Sequence, residues 1–472
     1  MQAWRCANRS FVAPNFTIND PASLLAGSGL AGRVFILYSA GMTNICAGLL
    51  ERAFPERPDL VDRLRVLIDG VRPALEEQRS HFPSPPGAFP LDSGESLLVV
   101  PRDIPGGIVP EQLEQVLEEV WEHTLSGIMV SSLADLSGTI SGDLVREYRL
   151  MTELLPEPSP EPPSGAESFL AMLEQLLGDL SRGVQILAVP DLFRPSREEE
   201  DGIVGVLKEA DPDLLLAGDH ARGHDLAWPG GRPREGREPL GQVLLEAVLN
   251  EDGRGLGEWL QALPDRESCR AWINQVPFLF RGAGEGVRMD VNLPLDQQAR
   301  SLEALHTLQC ALAGVPAFVL PRAILQGAED LRAGAGAGAG DDDGDGDAKD
   351  DSELGELAGL VLPRLRDLLR IRLEEPAFDP VSSQRVVPGD PRMVVLERGG
   401  TGARPVLCLQ NLSRDPVEFR DRLDRYPWPE SAVVEDILTG DLVFPSREGE
   451  LFSFELQPRE VLWLRFGESS PE

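Results

Sequence analysis

The feature that most constrains this chain is an alternation that runs between residues 96 and 321. Short, almost wholly apolar runs recur there: SLLVVPR (96–102), SGIMVSSL (126–133), YRLMTELL (148–155), VQILAVP (184–190), DLLLAG (213–218), RAWINQVPFLF (270–280) and VPAFVLP (315–321). Runs of this length and apolarity read as strands buried on both faces. Between them lie segments with a 3.6-residue period. EQLEQVLEEVWEHTL (111–125) places Leu113, Val116, Leu117 and Val120 on one face. ESFLAMLEQLLGDLSRG (167–183) does the same with Phe169, Met172, Leu173, Leu176, Leu177 and Leu180, and Gly183 stands where a helix C-terminal cap belongs. PLGQVLLEAVL and GLGEWLQAL (near 239–263) and LDQQARSLEALHTLQCALAG (295–314) continue the series. Strands alternating with helices imply α/β architecture with a parallel sheet covered on both faces. A doubly wound sheet and a barrel both satisfy that pattern.

The flanks have a different texture. Residues 1–90 form a partly helical N-terminal segment, with helices in LLERAFPERPDLVDRLRVLIDGV interrupted at Pro55–Pro58 and a Pro-rich linker at 81–90. LRAGAGAGAGDDDGDGDAKDDSE (331–353) is an acidic low-complexity loop. Its Asp341, Asp343, Asp345 and Gly346 have the spacing of a calcium loop. The bidentate Glu of such a loop would fall on Ser352, and Lys349 takes another ligand position, so a solvated loop is expected and no metal. After a helix at 354–373, short alternating runs begin: MVVLER, RPVLCLQNLS, SAVVEDIL, LFSFELQP and EVLWLRF. They read as an antiparallel β-sandwich. The expected units are 1–90, 91–375 and 376–472.

Charge narrows the partners. At −34 the surface repels nucleic acid and anionic membranes, so neither is expected. Cys6, Cys46, Cys269, Cys310 and Cys408 are dispersed, without CxxC spacing, which fits isolated thiols rather than a disulfide framework or a zinc site. MQAWRCANRS lacks an apolar signal core, and the run at Val34–Leu37 is too short to span a bilayer. A cytoplasmic protein without a cofactor is expected.

The C-terminal third carries a resemblance. RLRDLLRIRLEEPAFDP, MVVLER, VLCLQNLS, DILTGD and LQPREVLWL, in that order, resemble the end of sucrose-phosphorylase-like enzymes of the alpha-amylase superfamily of glycoside hydrolases. ALHTLQCALAGVPAFV resembles their seventh helix and eighth strand, SGIMVSSLADLSG the second strand, DLVREYRLMTELL the third, and FLAMLEQLLGDLSRGVQIL the helix and strand leading to the nucleophile. The resemblance spans 95–465. It implies a shortened (β/α)8 TIM barrel, then a helix and a C-terminal antiparallel β-sandwich. It also implies retaining transglycosylation by two carboxyls about 5–5.5 Å apart at the C-terminal face of the barrel.

Carried over residue by residue, the family's catalytic pattern is missing. Its strand-4 Arg falls on Ala188 and its nucleophile on Pro190, with Asp191 one place late. A one-residue slip turns a strand side chain to the other face. The strand-5 acid/base Glu falls on Gly218, with Asp219 next. Strand 7, INQVPFLF, has no His-Asp pair, and the third strand ends Leu155-Pro156-Glu157 instead of Asn-His. The loop between strands 3 and 4 is cut to PEPSPEPPSG.

A non-catalytic relative of these enzymes is therefore expected, one that binds a carbohydrate or regulates an active homologous enzyme. The alternative is an active retaining α-glucoside hydrolase or phosphorylase whose carboxylates have moved to Asp191, Asp219 and Asp225. Trp228, by stacking on a sugar or filling the barrel mouth, and Arg222, by pairing with an anionic group, are the candidate substrate-binding residues in a stretch read as a long loop (222–238). His220 and His224 lie four apart with flanking acids, but after a strand and across a Gly, so a polar loop is expected there rather than zinc. His306 reads as a satisfied helix histidine.

Overall fold

The computed structural model describes residues 59–81, 96–99, 125–130, 149–153, 177–178, 180, 184–189, 214–218, 226–229, 239–263, 271–277, 293–319, 345–399, 404–427 and 433–466. Eight parallel strands close a barrel. They are β1 (Ser96–Val99), β2 (Leu125–Val130), β3 (Arg149–Glu153), β4 (Val184–Val189), β5 (Leu215–Gly218), β6 (Leu226–Ala227), β7 (Ala271–Pro277) and β8 (Val315–Val319). Each pairs with the next in sequence, and β8 returns to β1 through Leu97↔Ala317, Leu98↔Phe318 and Val99↔Val319. Closure settles the choice left open by periodicity. The apolar runs are buried on both faces because one face fills the barrel and the other meets the helices.

The alternation of side chains makes that division visible. Leu97, Val99, Ile186, Leu215, Ala217, Leu226, Ala271, Ile273, Val315 and Ala317 share the interior cluster. Leu98, Leu214, Leu216, Val276 and Phe318, on the opposite phase, join a second and larger core outside the strands. That outer core takes Leu177 and Leu180 from the segment before β4 and Ile68 and Leu75 from α1 (Asp59–His81). It also takes residues of α2 (Pro239–Asn250), α3 (Arg254–Ala262), α4 (Leu295–Ala311) and α5 (Asp345–Glu374).

Two expectations change. β6 lies inside the stretch expected to be a long loop, at Leu226–Ala227, paired to β5 and β7. Two residues are too few to show a period, so neighbouring strands rather than local pattern fix it. α5 begins at Asp345, so the low-complexity loop ends before that residue and not at 353. Acidic residues favour a helix N-terminal turn through the backbone dipole, which offsets the weak propensity of Asp and Gly.

Beyond α5 a 3-10 turn, Pro376–Phe378, leads into antiparallel strands. These are β9 (Gln384–Val386), β10 (Met393–Arg398), β11 (Val406–Asn411), β12 (Val417–Arg422), β13 (Val434–Asp436), β14 (Asp441–Val443), β15 (Ser446–Glu448), β16 (Leu451–Leu456) and β17 (Val461–Arg465). They form a six-stranded sheet, β14-β13-β17-β11-β10-β9, and a three-stranded sheet, β12-β16-β15. Leu407, Leu409, Leu462 and Leu464 of the first face Phe419, Phe452, Phe454 and Leu456 of the second. The other face of the six-stranded sheet sends Val394, Leu396, Val406, Cys408 and Trp463 into the outer core of the barrel. α4 lies between, which explains why it is buried around most of its girth. Gln410 of β11 donates Nε2 to the Ala304 carbonyl of α4 at 2.8 Å. Among the described residues no helix is long and apolar enough to cross a membrane.

Candidate functional site

In a barrel of parallel strands the chemistry belongs to the C-terminal strand ends, and a working side chain must stand on the inward phase there. Where burial is described, the interior cluster is apolar, apart from the indole N–H of Trp228 and the amide of Gln275 beside it. The indole of Trp228, just after β6, is only 2% exposed. Its Nε1–H donates to Oε1 of Gln275, which is on β7, at 3.1 Å. The pair bridges the interior above Leu226, Ala271 and Ile273. Trp228 is thus part of the interior cluster of the barrel.

The other predicted residues fall as follows. Gly218 ends β5 on the phase of the outward-facing Leu214 and Leu216, whereas Leu215 and Ala217 face the interior. Gly218 therefore stands on the outward phase of β5. Ala188 pairs with Ala217 and Val189 with Gly218. Pro190, Asp191, Asp219, Arg222 and Asp225 lie outside the described residues, as do His220 and His224. Only residues 219–225 connect β5 to β6, shorter than the ten to twelve residues or more that a crossover with its helix takes.

The strand bounds bring forward a residue that sequence reasoning passed over. Glu153 ends β3, and among the eight barrel strands it is the sole carboxylate. It pairs in register with Ala188, two places after Met151 pairs with the inward-facing Ile186. The signal was present in YRLMTELL but was masked by expecting that strand to end at Leu155. Among the described residues no group of three His, Cys, Asp or Glu side chains converges as metal ligands. Asp345 opens α5, so the calcium spacing runs into helix instead of continuing as a loop.

A buried cation lies beside the turn that leads into β8. Arg372 of α5 is completely buried. Its Nη1 donates to the Cys310 and Leu312 carbonyls, the latter at 3.2 Å, and Nη2 to the Gly314 carbonyl at 2.5 Å. These carbonyls close the C-terminal end of α4, where the helix dipole favours a cation. Burial pulls the guanidinium pKa down to about 10, still far above neutrality. It pushes the neighbouring Cys310 thiol up to about 12. Asn274 of β7 grips the same turn from the other side, donating Nδ2 to the Ala313 carbonyl at 2.8 Å. His306 is satisfied within α4, its Nδ1 at 2.9 Å from Oε1 of Gln309.

No family model matches the chain, and no curated protein matches it. Solved structures do. AmyP in complex with maltose is 12% identical, with 80% of this chain and 98% of that chain covered and a TM-score of 0.54. The alpha-amylase from H. orenii is 11% identical over 80% and 100% of the two chains, TM-score 0.53. The alpha-amylase from Geobacillus thermoleovorans complexed with acarbose is 10% identical over 80% and 100%, TM-score 0.51. At these identities the likeness is one of fold, an alpha-amylase-type barrel followed by antiparallel sheets.

Proposed function

We propose that this chain is a saccharide-binding protein on a glycosidase-type barrel that has given up the retaining two-carboxylate reaction. The observation that carries the reading is the interior of β7 with its neighbours. The inward positions Ala271, Ile273 and Gln275, like Leu215, Ala217, Val315 and Ala317, bear no acid, and Gln275 is engaged by Trp228. Retaining hydrolysis needs two carboxyls about 5–5.5 Å apart, and loss of one member of such a unit can cost on the order of 10⁶ in rate. Neighbours in fold are seen with maltose and with acarbose, which supports a neutral saccharide as ligand. Fold alone does not assign activity.

A second reading keeps an active site on relocated carboxylates, Asp191, Asp219 and Asp225. One observation favours part of it: Leu215 and Ala217 both face the interior, and Asp219 follows them directly after the end of β5. Asp225 fits less well, since it precedes β6 whereas Asp191 and Asp219 follow β4 and β5. Glu153, at the end of β3, is the further acid that this reading would recruit.

The experiment is a turnover assay on the folded protein. Sucrose or glucosylglycerate is supplied with phosphate, and maltotriose without it, while free glucose and glucose 1-phosphate are followed. Absence of turnover, together with measurable binding of maltotriose, is the expected result. Turnover that disappears in Asp219→Asn or Asp191→Asn would overturn the reading in favour of the second.

A further inference from the structure

A cavity of about 370 Å³ opens on the outer side of β7, where the barrel, α3 and the start of β9 meet. It is separate from the barrel mouth, because Trp272 and Asn274 stand on the outward phase of the strand whose odd-numbered residues fill the interior. Its size lies in the range of small-molecule sites.

The lining is aromatic and amide in character. Trp259 of α3 is half-buried and Trp272 is only 5% exposed, so one indole is available as a wall and the other is fixed at the base. Three amides line the cavity, those of the exposed Gln261, Asn274 and Gln384, and the last two are locked by the Ala313 peptide. Asn274 donates Nδ2 to its carbonyl at 2.8 Å, and Gln384 accepts its N–H on Oε1 at 2.6 Å. A backbone carbonyl can only accept and a backbone N–H can only donate, so neither amide can be flipped. Asn274 Oδ1 and Gln384 Nε2 are left, one acceptor and one donor, and neither has a partner among the described residues. Arg372 holds the flanking carbonyls of Leu312 and Gly314. Gly314 takes a φ of +108° and lies so close to Trp272 that a Cβ would be 2.4 Å from its carbonyl oxygen. The wall is preorganised.

This chemistry selects a ligand. None of the described lining residues is charged, and a protein of net charge −34 repels anions. A pyranose ring has an apolar C–H face that an indole can cover and vicinal hydroxyls that both donate and accept. We propose that the cavity is a second saccharide site that takes one neutral sugar unit, with the ring against Trp259 and hydroxyls on Asn274 Oδ1 and Gln384 Nε2. The cavity's own lining carries this assignment, whatever the barrel mouth does.

The test is saturation-transfer NMR on the full chain with glucose, maltose and maltotriose, repeated on Trp259→Ala, Gln384→Glu and Asp219→Asn. Gln384→Glu retains the acceptor for Ala313, removes the free donor and places a negative charge where it stood. A saturable signal that weakens about tenfold in Trp259→Ala and in Gln384→Glu, but not in Asp219→Asn, is expected. No signal from any of the three sugars would overturn the site. A signal unchanged in the first two variants would overturn it as well and would leave binding at the barrel mouth intact. Adenosine, a neutral stacking heterocycle, is the competitor; if it binds this cavity more tightly than the sugars, the ligand class is wrong. Circular dichroism of each variant checks that it is folded.

Discussion

Replacing Arg372 with methionine asks whether a wholly buried cation with no salt bridge among the described residues stabilises the fold. Methionine keeps much of the apolar stem and removes the guanidinium from three carbonyls, those of Cys310, Leu312 and Gly314. Hydrogen bonds to a charged group contribute about 1.5–3 kcal/mol each, so the gross loss is about 4.5–9 kcal/mol. Methionine also removes the cost of burying the charge. That cost is visible in a guanidinium pKa pulled from 12.5 to about 10. It corresponds to about 3 kcal/mol. The contact of the guanidinium with the Phe378 ring, 5.6 Å to its centroid, is lost too. The net expectation is a destabilisation of about 3 kcal/mol, in line with removing one partner of a buried ionic arrangement. Arg372→Lys, whose single ammonium cannot fork across three carbonyls, is expected to lose about half as much. Urea unfolding followed by near-UV circular dichroism measures it, since Trp463 packs on Phe378 with ring centroids 4.6 Å apart. If the methionine variant proves as stable as the parent or more so, desolvation outweighs the carbonyl cage and the reasoning fails.

Three further outcomes are expected. Gly314→Ala combines a positive φ with a Cβ 2.4 Å from the Trp272 carbonyl oxygen. It should destabilise by about 3 kcal/mol or more, or abolish soluble expression, as read from thermal melts; a melt unchanged from the parent would contradict the packing described. Trp228→Phe loses the bond to Gln275 and leaves a small void in the barrel, which should cost about 2–3 kcal/mol by chemical denaturation; a cost near zero would mean the ring is not a core element. Burial raises the Asp436 carboxyl pKa although Trp463 N–H, Thr439 and Leu438 N–H donate to it. A folded value above the unfolded one means that its contribution to stability is full below about 3.8 and lost as pH rises through the folded value. Asp436→Asn, which cannot ionise, should therefore gain relative to the parent as pH rises above about 4 in urea midpoints. A relative loss with rising pH would reverse the sign of the argument.

The barrel was legible where its strands are long and nearly all apolar. β1, β4, β7 and β8 announced themselves, because burial on both faces excludes polar residues. β6 was not legible, since two residues held by neighbours on both sides carry no pattern of their own. The start of α5 was hidden for a different reason: Asp and Gly have poor helix propensity, and the composition of 345–353 pointed to loop. At the candidate site the sequence shows that β4, β5 and β7 themselves carry no acid. The phase of β5 was not legible, because which residue of a short strand faces inward depends on where the strand starts. The two-indole cavity could not be foreseen, because Trp259, Trp272 and Gln384 are brought together only by packing of the antiparallel sheet against the barrel.

The central claim, that the fold persists without its glycosyl-accepting carboxylate, is tested most directly by chemical trapping. The folded protein is incubated with 5-fluoro-α-glucosyl fluoride, an activated sugar that leaves a fluoroglucosyl ester on a retaining nucleophile, and its intact mass is followed. An active retaining α-glucosidase serves as the control. The account predicts an unmodified mass while the control is labelled. Addition of one fluoroglucosyl unit, lost on Asp191→Asn or Asp219→Asn, would contradict it and identify the nucleophile.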